Sequence, residues 1–332
     1  MPLTLLVHDL LPPADAPVAM RALRLPALEK LLAHADPVRE TARGHAWLLR
    51  CWGLRPDTPL APITLAADGG PREGTWLRAD PVHQRIDRDA LVLHGAGVLE
   101  LTREEADAAV AALNAFLADD GLVLEAPHPE RWYVRIPQDE KPITVPIAEA
   151  AGRNPFGLLP AGGKHFNWRL LFSEVQMLLA SLPFNQAREA QGRPMLNGLW
   201  FWGAGEAPAV SAKPFAMVAA HEPLARGLAL LEGTPVQPLP ATLAGIAARS
   251  NGDLLVVLDD LSLPLQRGDA EAWCEAARRF ERDWCAPLAG RLRELGPVRL
   301  VLPSGSEVVL FDLQARQRWR LWRRAKPLAG HA

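Results

Sequence analysis

Four short segments of the chain are almost entirely apolar, and they limit the possible folds more than any other feature. They are residues 3–8 (LTLLVH), 253–259 (DLLVVLD), 298–302 (VRLVL) and 307–312 (EVVLFD). Strands buried on both faces of a parallel sheet have this composition, whereas strands with one solvent-exposed face alternate apolar and polar residues. Because helical patterns lie between several of these segments, the sequence predicts a layered α/β fold.

Helical periodicity marks four longer segments, at 25–36, 102–119, 168–182 and 269–294. The second begins with Thr102-Arg103-Glu104-Glu105, a capping-box pattern that satisfies the first free N–H groups of a helix. Shorter apolar runs at 45–53 and 197–203 each end at a glycine, and we interpret the later one as a further buried strand.

Between the first core elements and the later ones lies a stretch that is richer in strands. A strand-and-turn pattern begins at Thr75, and residues 121–136 have the pattern of a β-hairpin. We therefore predict a smaller strand-rich subdomain at 75–165. It is inserted into an α/β core formed by residues 1–74 and 166–332.

Composition and charge exclude several functional classes. The formal net charge is −2 over 332 residues, so no global field draws the protein toward nucleic acid or an anionic membrane. No segment approaches the roughly 20 apolar residues that cross a bilayer, and the N-terminus reads as a first strand rather than a signal peptide. Three cysteines without a CxxC motif favour a reducing compartment, and we expect a cytoplasmic protein.

One block of the sequence has an unusually specific spacing, Asn185-x2-Arg188-x3-Gly192-x4-Asn197-x2-Trp200-x-Trp202-Gly203-x-Gly205. It resembles the N..R...G....N..W.WG.G segment of the archaeal-type cofactor-independent phosphoglycerate mutases, members of the alkaline phosphatase superfamily. Looser matches are Leu25-Pro26-Ala27-Leu28 and Ala79-Asp80-Pro81-Val82-His83-x-Arg85. The overall pattern is closer to a bacterial group, the RpfE-type regulatory proteins. The resemblance implies an alkaline phosphatase-like α/β/α core with an inserted subdomain.

The enzymes of that superfamily hold two divalent metals that activate a Ser or Thr nucleophile. Asp9 stands where the family has its first ligand. The late ligand regions, 259–269 and 302–306, contain no histidine, and the nucleophile loop reads Arg43-Gly44-His45 with Thr41 as its nearest hydroxyl. Since a catalytic metal needs several protein ligands and an open position, we expect no metal, no cofactor and no catalytic residue.

Two groups of polar residues are candidates for binding. Asn185, Arg188 and Asn197 could form a retained pocket for a small phosphorylated or other anionic ligand, with Arg188 as a bidentate clamp. The alternative is that they satisfy loop backbone. Asp80, His83 and Arg85 could form a ligand-binding loop, with Arg85 facing an anion and His83 as a proton donor or acceptor, or they could form an ion-paired surface turn. A weaker candidate is the segment that follows Gly162-Gly163.

The tail interleaves arginine with tryptophan, through Arg316, Arg318, Arg320, Arg323 and Arg324 with Trp319 and Trp322. Such a pattern can hold single-stranded nucleic acid, can meet an acidic protein, or can form a charged edge strand. We favour the edge strand. The leading function is a catalytically degenerate mutase-like protein that regulates or scaffolds an unknown protein partner. The alternatives are an active phosphoglycerate mutase or phosphatase and a nucleic-acid-associated accessory protein.

Overall fold

A computed structural model describes residues 3–87, 90–246, 252–320 and 322–331. The chain divides into two compact units. Unit 1 comprises Met1–Thr58 and Ala209–Ala332, and unit 2 comprises Pro59–Pro208.

The strands, in chain order, are β1 (Leu3–Val7), β2 (Pro37–Thr41), β3 (Thr75–Asp87), β4 (Ala90–His94), β5 (Val123–His128), β6 (Arg131–Ile136), β7 (Gly198–Gly205), β8 (Met217–Ala220), β9 (Val236–Gln237), β10 (Leu254–Leu258), β11 (Val298–Ser304) and β12 (Glu307–Leu313). The α-helices are α1 (Val18–Arg21), α2 (Pro26–His34), α3 (Gly44–Cys51), α4 (Ala61–Ala67), α5 (Arg103–Phe116), α6 (Ile147–Ala150), α7 (Trp168–Ser181), α8 (Pro183–Ala190), α9 (Pro223–Glu232), α10 (Ser262–Gln266), α11 (Ala270–Phe280) and α12 (Ala286–Leu295).

Unit 1 is built on a sheet whose described strands run in the order β2-β12-β11-β1-β10-β8-β9. β1 pairs in parallel with β10 on one side and with β11 on the other, while β12 and β2 add antiparallel strands at one edge. Every residue of β1 and of β10 is buried, as their apolar composition predicts. The predicted α/β fold class is confirmed.

Helices cover both faces of this sheet. The residues of β1 with odd numbers share one core with α1, α2, α11 and α12. On the opposite face α3 packs against β11 and β12, and α9 packs against β8. Side chains that alternate along a strand therefore pack into two separate cores, and both faces of the sheet are covered by helices.

The predicted helix at 269–294 contains a π-helical turn. α11 and α12 are joined through Glu281–Cys285, which forms this turn. The turn carries Glu281 to the start of α2, where its carboxylate accepts hydrogen bonds from the N–H groups of Ala27 and Leu28 at 2.5 and 3.0 Å. Because the N-cap of α2 is Leu25, which has no capping side chain, a distant residue supplies the cap.

Unit 2 is an antiparallel sheet with the described strand order β4-β3-β6-β5 and with β7 also paired to β3. The long strand β3 pairs with β6 and β7 in its first part and with β4 in its last part. β5 and β6 form the predicted hairpin. α5 and α7 share one core with this sheet, and α4 contributes to a smaller cluster with Trp76 and Tyr133.

The strand-rich unit is wider than the predicted subdomain, since it spans 59–208 rather than 75–165. Two elements assigned by the sequence to the α/β core belong to it. β7 pairs along β3, from Val82↔Gly198 to Trp76↔Gly205, and α7 packs on β7. Long-range antiparallel pairing leaves no local pattern in the sequence. The apolar periodicity alone therefore assigned β7 and α7 to the α/β core rather than to the strand-rich unit.

The prediction of an edge strand in the tail is wrong. Residues Ala315–Trp319 form a 3₁₀ turn. The edge beside β12 is already taken by β2, a short exposed strand that the apolar pattern does not indicate. Instead, Arg320 and Arg323 bind Asp36 and the carbonyl groups of His34 and Ala35 at the end of α2. The side chain of Arg318 lies outside the described part of the chain.

All three cysteines are free thiols. Burial raises the pKa of Cys51 to about 12, which keeps this thiol protonated and unreactive at neutral pH. Within the described residues, no helix combines the length and the apolar character needed to cross a membrane.

The Gly162-Gly163 segment encloses a buried carboxylate. Glu140 is fully buried and accepts hydrogen bonds from the N–H groups of Lys164 and His165, at 2.6 and 2.8 Å, and from the indole of Trp168 at 2.9 Å. A Cβ atom at Gly163 would lie 1.9 Å from Glu140 Oε1. The weaker sequence candidate therefore has a structural role, which is to wrap backbone donors around Glu140.

Gly162 and Gly163 both have left-handed backbone, with φ of 76° and 95°, but a Cβ at Gly162 would meet nothing within 4 Å. Gly162→Ala is expected to destabilise unit 2 by about 1 kcal/mol through backbone strain alone. Gly163→Ala should cost about 2 kcal/mol more, because it displaces Glu140. Urea unfolding of the two variants measures the difference, and equal unfolding midpoints would contradict this role for Gly163.

Candidate functional site

The carboxyl ends of three parallel strands meet at one edge of the unit 1 sheet. In the register of the sheet Val7 lies beside Leu258, and Val257 lies beside Ala220. The residues that follow these strands are polar in every case, namely His8 and Asp9 after β1, His221 and Glu222 after β8, and Asp259 and Asp260 after β10. Open α/β sheets bind their ligands at this edge. We call His8, Asp9, Glu222 and Asp259 the edge cluster.

His8 extends the β1 ladder by one residue, since its N–H donates to the carbonyl of Leu258 at 2.9 Å. Its ring is held under the start of α3, where a Cβ on Gly44 would lie 3.5 Å from His8 Cε1. The Nε2 atom is buried and has no hydrogen-bond partner among the described residues. A buried ring nitrogen of this kind is available to a ligand or to a proton.

Asp9 turns the chain away from the sheet. Its φ is 57°, in the left-handed region that Asp and Asn adopt more readily than most residues. Its carbonyl accepts a hydrogen bond from the indole of Trp273 in α11 at 2.9 Å. The backbone of Asp9 is therefore fixed by the helical layer at the end of β1.

Glu222 is committed to a helix. Its two carboxylate oxygens accept from the N–H groups of Leu224 and Ala225, at 2.9 and 2.7 Å, so it is the N-cap of α9. Burial raises the pKa of Glu222, and the positive charge that His8 can carry partly offsets the rise. Both oxygens are occupied before any ligand arrives.

Asp259 is the acidic residue of the edge cluster on β10. Burial raises its pKa, the charge on His8 opposes that rise, and neighbouring Asp260 adds to it. His8 thus lies within electrostatic reach of both Glu222 and Asp259. The arrangement can receive a positively charged group.

The edge cluster does not fit the two-metal site that the sequence resemblance implies. Among the residues described, no group of three or more His, Cys, Asp or Glu side chains is placed to hold a metal ion. Glu222 is used by α9. Thr41 is exposed at the end of β2, which β12 and β11 separate from β1, a distance of roughly 14 Å at the usual strand spacing. It is therefore not placed to act as a nucleophile beside His8.

The residues that the sequence proposed for anion binding lie in unit 2. Asn185 is fully buried, and its amide donates to the carbonyls of Leu179 and Leu196 and accepts from the N–H of Leu196. Asn197 forms two hydrogen bonds with the backbone of Gln84 on β3. Its amide accepts from the N–H of Gln84 at 2.7 Å and donates to the carbonyl at 2.8 Å. Both asparagines replace missing backbone partners.

Arg188 is 1% exposed, and all three guanidinium nitrogens have partners. Nε donates to the carbonyl of Pro194 at 2.8 Å, one terminal nitrogen binds Glu105 at 2.6 Å, and the other binds the carbonyl of Leu99. This geometry favours the structural alternative for Arg188 over the anion clamp, because each guanidinium nitrogen is already bound to a group within the protein.

Asp80 is also part of a buried network. It accepts from the guanidinium of Arg78 and, at 2.7 Å, from the indole of Trp202. The Nδ1 atom of His83 donates a hydrogen bond to the carbonyl of Met195 at 2.8 Å, and burial lowers the pKa of His83. Arg85 is exposed near the end of β3. The carboxylate of Asp80 and the Nδ1 atom of His83 are thus bound within the protein, while Arg85 is open to solvent.

Glu222 was not identified as a candidate from the sequence, although the sequence contains a pattern that indicates it. β8 reads MVAA and is too short and too rich in alanine to stand out as a strand. A polar pair follows it, as polar pairs follow β1 and β10, and this shared feature could have identified the edge.

Comparison with known proteins supports the fold and goes no further. No protein-family model matches the chain, and no curated protein matches it. The cofactor-independent phosphoglycerate mutase from Thermoplasma acidophilum matches with 18% identity and a TM-score of 0.43, over 94% of this chain and 89% of that chain. The PH0037 protein from Pyrococcus horikoshii matches with 16% identity and a TM-score of 0.51, over 94% and 87%. The second match shows a shared fold.

Replacing Arg188 tests the structural role of the 185–205 block. Arg188→Met leaves Glu105 without its buried partner and should destabilise the protein by about 3 kcal/mol in urea unfolding. Arg85→Gln also removes one positive charge from unit 2, but at an exposed position. Its free energy of unfolding should stay within about 0.5 kcal/mol of that of the parent. A stable Arg188→Met protein that has lost affinity for phosphate would instead support the anion clamp.

Asp259 should make stability depend on pH. Because its pKa is raised in the folded state, the stability that its protonated form contributes is lost as the pH rises through that raised value. Asp259→Asn should therefore unfold at a higher temperature than the parent at pH 8, with the difference vanishing below the ordinary Asp pKa. Thermal melts across pH measure this. Asp15→Asn, at an exposed loop position of unit 1, is the control, and a pH-independent difference would contradict the assignment.

Proposed function

We propose that this chain is a catalytically degenerate relative of the cofactor-independent phosphoglycerate mutases, acting as a regulatory or scaffold protein through binding. The proposal rests on the edge cluster, because its carboxylates and histidine form no metal site among the described residues. The likeness of the sequence to RpfE-type regulatory proteins supports the same conclusion.

The start of α3 adds a second reason. A nucleophilic side chain in this loop would have to extend toward the strand ends from the position now held by Gly44. A Cβ atom there would lie 3.1 Å from both Cβ and Cγ of Pro303 and 3.5 Å from His8 Cε1. Since contacts near 3.1 Å are tighter than ordinary packing, Pro303 crowds the position that the side chain of a serine or threonine would use.

A binding role also has support from unit 2. Leu170 and Met177 lie seven residues apart in α7 and so on the same side of the helix, and they are 54% and 68% exposed. The opposite side of α7 is buried in the core through Leu171, Val175 and Leu179. Large apolar side chains that stay exposed on one face are typical of surfaces that contact another protein. This feature supports a protein partner, as proposed from the sequence.

The proposal is tested by metal content and by ligand-dependent stability. The purified protein should contain no stoichiometric transition metal. Its unfolding temperature should shift by less than about 1 °C with millimolar Mn²⁺ or Zn²⁺, because an ion stabilises the folded state only by binding it. Conversion of 3-phosphoglycerate to 2-phosphoglycerate should remain at the background rate. A metal-dependent mutase measured in parallel controls the assay.

One result would overturn the proposal. A stabilisation of several degrees by Mn²⁺, abolished both in Asp9→Asn and in Asp259→Asn but retained in Asp15→Asn, would place a metal at the edge cluster. Turnover of 3-phosphoglycerate with the same dependence on Asp9 and Asp259 would show an active enzyme.

A further inference from the structure

The end of the chain closes a groove on unit 1, which we call the tail groove. The cavity volume of the tail groove is about 530 Å³, which lies within the usual range for small-molecule sites. Five side chains that can carry positive charge line it, namely Arg39, Arg323, Arg324, Lys326 and His331. No Asp or Glu lies among the lining residues that the structure describes.

Two of these cations are fixed in place. Arg39 on β2 donates to Glu307 at 3.0 Å and to the carbonyl of His331 at 2.9 Å. Arg323 donates to the carbonyl of Ala35 at 3.0 Å and binds Asp36. These contacts hold the tail against α2 and β2, so the groove is formed before a ligand binds.

The other two cations have no such partner. Arg324 and Lys326 are exposed, and neither forms an ion pair with another described residue. Because Arg39 and Arg323 are already neutralised by Glu307 and Asp36, the uncompensated charge of the groove comes from Arg324 and Lys326. Two cations beside one groove match the charge of a dianion.

His331 supplies a polar group that lacks a partner. Its ring packs edge-on against Phe311, with the ring centroids 5.7 Å apart. Its Nε2 atom is buried and has no hydrogen-bond partner among the described residues. Burial lowers the pKa of His331, and Lys326 and Arg39 lower it further, so the neutral ring is favoured. A neutral imidazole with its proton on Nε2 can donate to an anion.

The remaining lining is apolar, with Leu32, Pro37 and Val309 among its members. A free inorganic anion would leave this surface in contact with water, whereas an organic group attached to the anion would cover it. The exposed rings of Trp319 and Trp322 do not line the groove, and Arg320 is held by Asp36. Stacking surfaces and free charge are therefore not combined as a single-stranded nucleic acid would require.

We propose that the tail groove binds a small organic phosphate, with its phosphate between Arg324, Lys326 and His331 and its organic part on Leu32 and Val309. This site is separate from the edge cluster, and it does not depend on whether the protein is an enzyme. It also differs from the anion pocket predicted from the sequence, whose residues lie in unit 2.

Calorimetric titration at physiological salt tests the proposal with inorganic phosphate and phenyl phosphate as probes. Phenyl phosphate should bind several-fold more tightly than inorganic phosphate, because its ring covers the apolar lining. The double variant Arg324→Gln/Lys326→Gln should bind phenyl phosphate about tenfold more weakly than the parent, since it removes both uncompensated cations. His331→Phe keeps the ring packing and should also weaken binding.

The matched control is Arg21→Gln/Arg316→Gln, which removes the same charge from exposed positions of unit 1 outside the groove. It should bind as the parent does. The proposal fails if the parent binds neither probe at millimolar concentration, or if the control loses as much affinity as the groove variant. It also fails if an oligonucleotide binds more tightly than phenyl phosphate and the groove variant leaves that binding unchanged.

Discussion

The parallel pairing of β1 between β10 and β11 is the constraint on which the rest of unit 1 depends. It buries both faces of a five-residue strand and fixes where the strand ends. The edge cluster follows from that register, because His8 and Asp259 emerge from neighbouring strands at the same level. A slip of one residue would turn Leu5 and Leu6 to the opposite layers and separate these polar side chains.

In unit 2 the corresponding constraint is a buried charge. Arg78 on β3 lies between the rings of Tyr133 and Trp202, 5.2 Å from each centroid, and its guanidinium binds Asp80. Trp202 also donates to Asp80 across the β3–β7 pair. Burying an ion pair is costly unless its donors and acceptors have partners, and here Trp202 donates to Asp80 while Thr64 accepts from Arg78 at 3.2 Å. The 185–205 block is specific in sequence because it must build this network and the two hydrogen bonds between Asn197 and the backbone of Gln84.

The strands and helices with strong local patterns could be predicted from the sequence, and the elements defined by distant partners could not. β1, β10 and α5 carry their own signals, which are continuous apolar runs and a capping box. β2 is exposed over nearly its whole length and exists because β12 pairs with it. The same reasoning explains the site. Polar residues in the 185–205 block resembled ligand contacts, and only the fold shows that backbone carbonyls occupy them.

The small net charge of the chain conceals two local fields of opposite sign in unit 1. Carboxylates dominate the edge cluster, while the tail groove has cations and no acidic lining residue in the described part of the chain. Each region contains one buried imidazole Nε2 atom without a hydrogen-bond partner among the described residues, in His8 and in His331. Since local potential rather than total charge attracts a ligand, a composition that excludes a global attraction to anions still permits one selective anion site. The net-charge argument from the sequence concerns the whole molecule, and a local groove lies outside its scope.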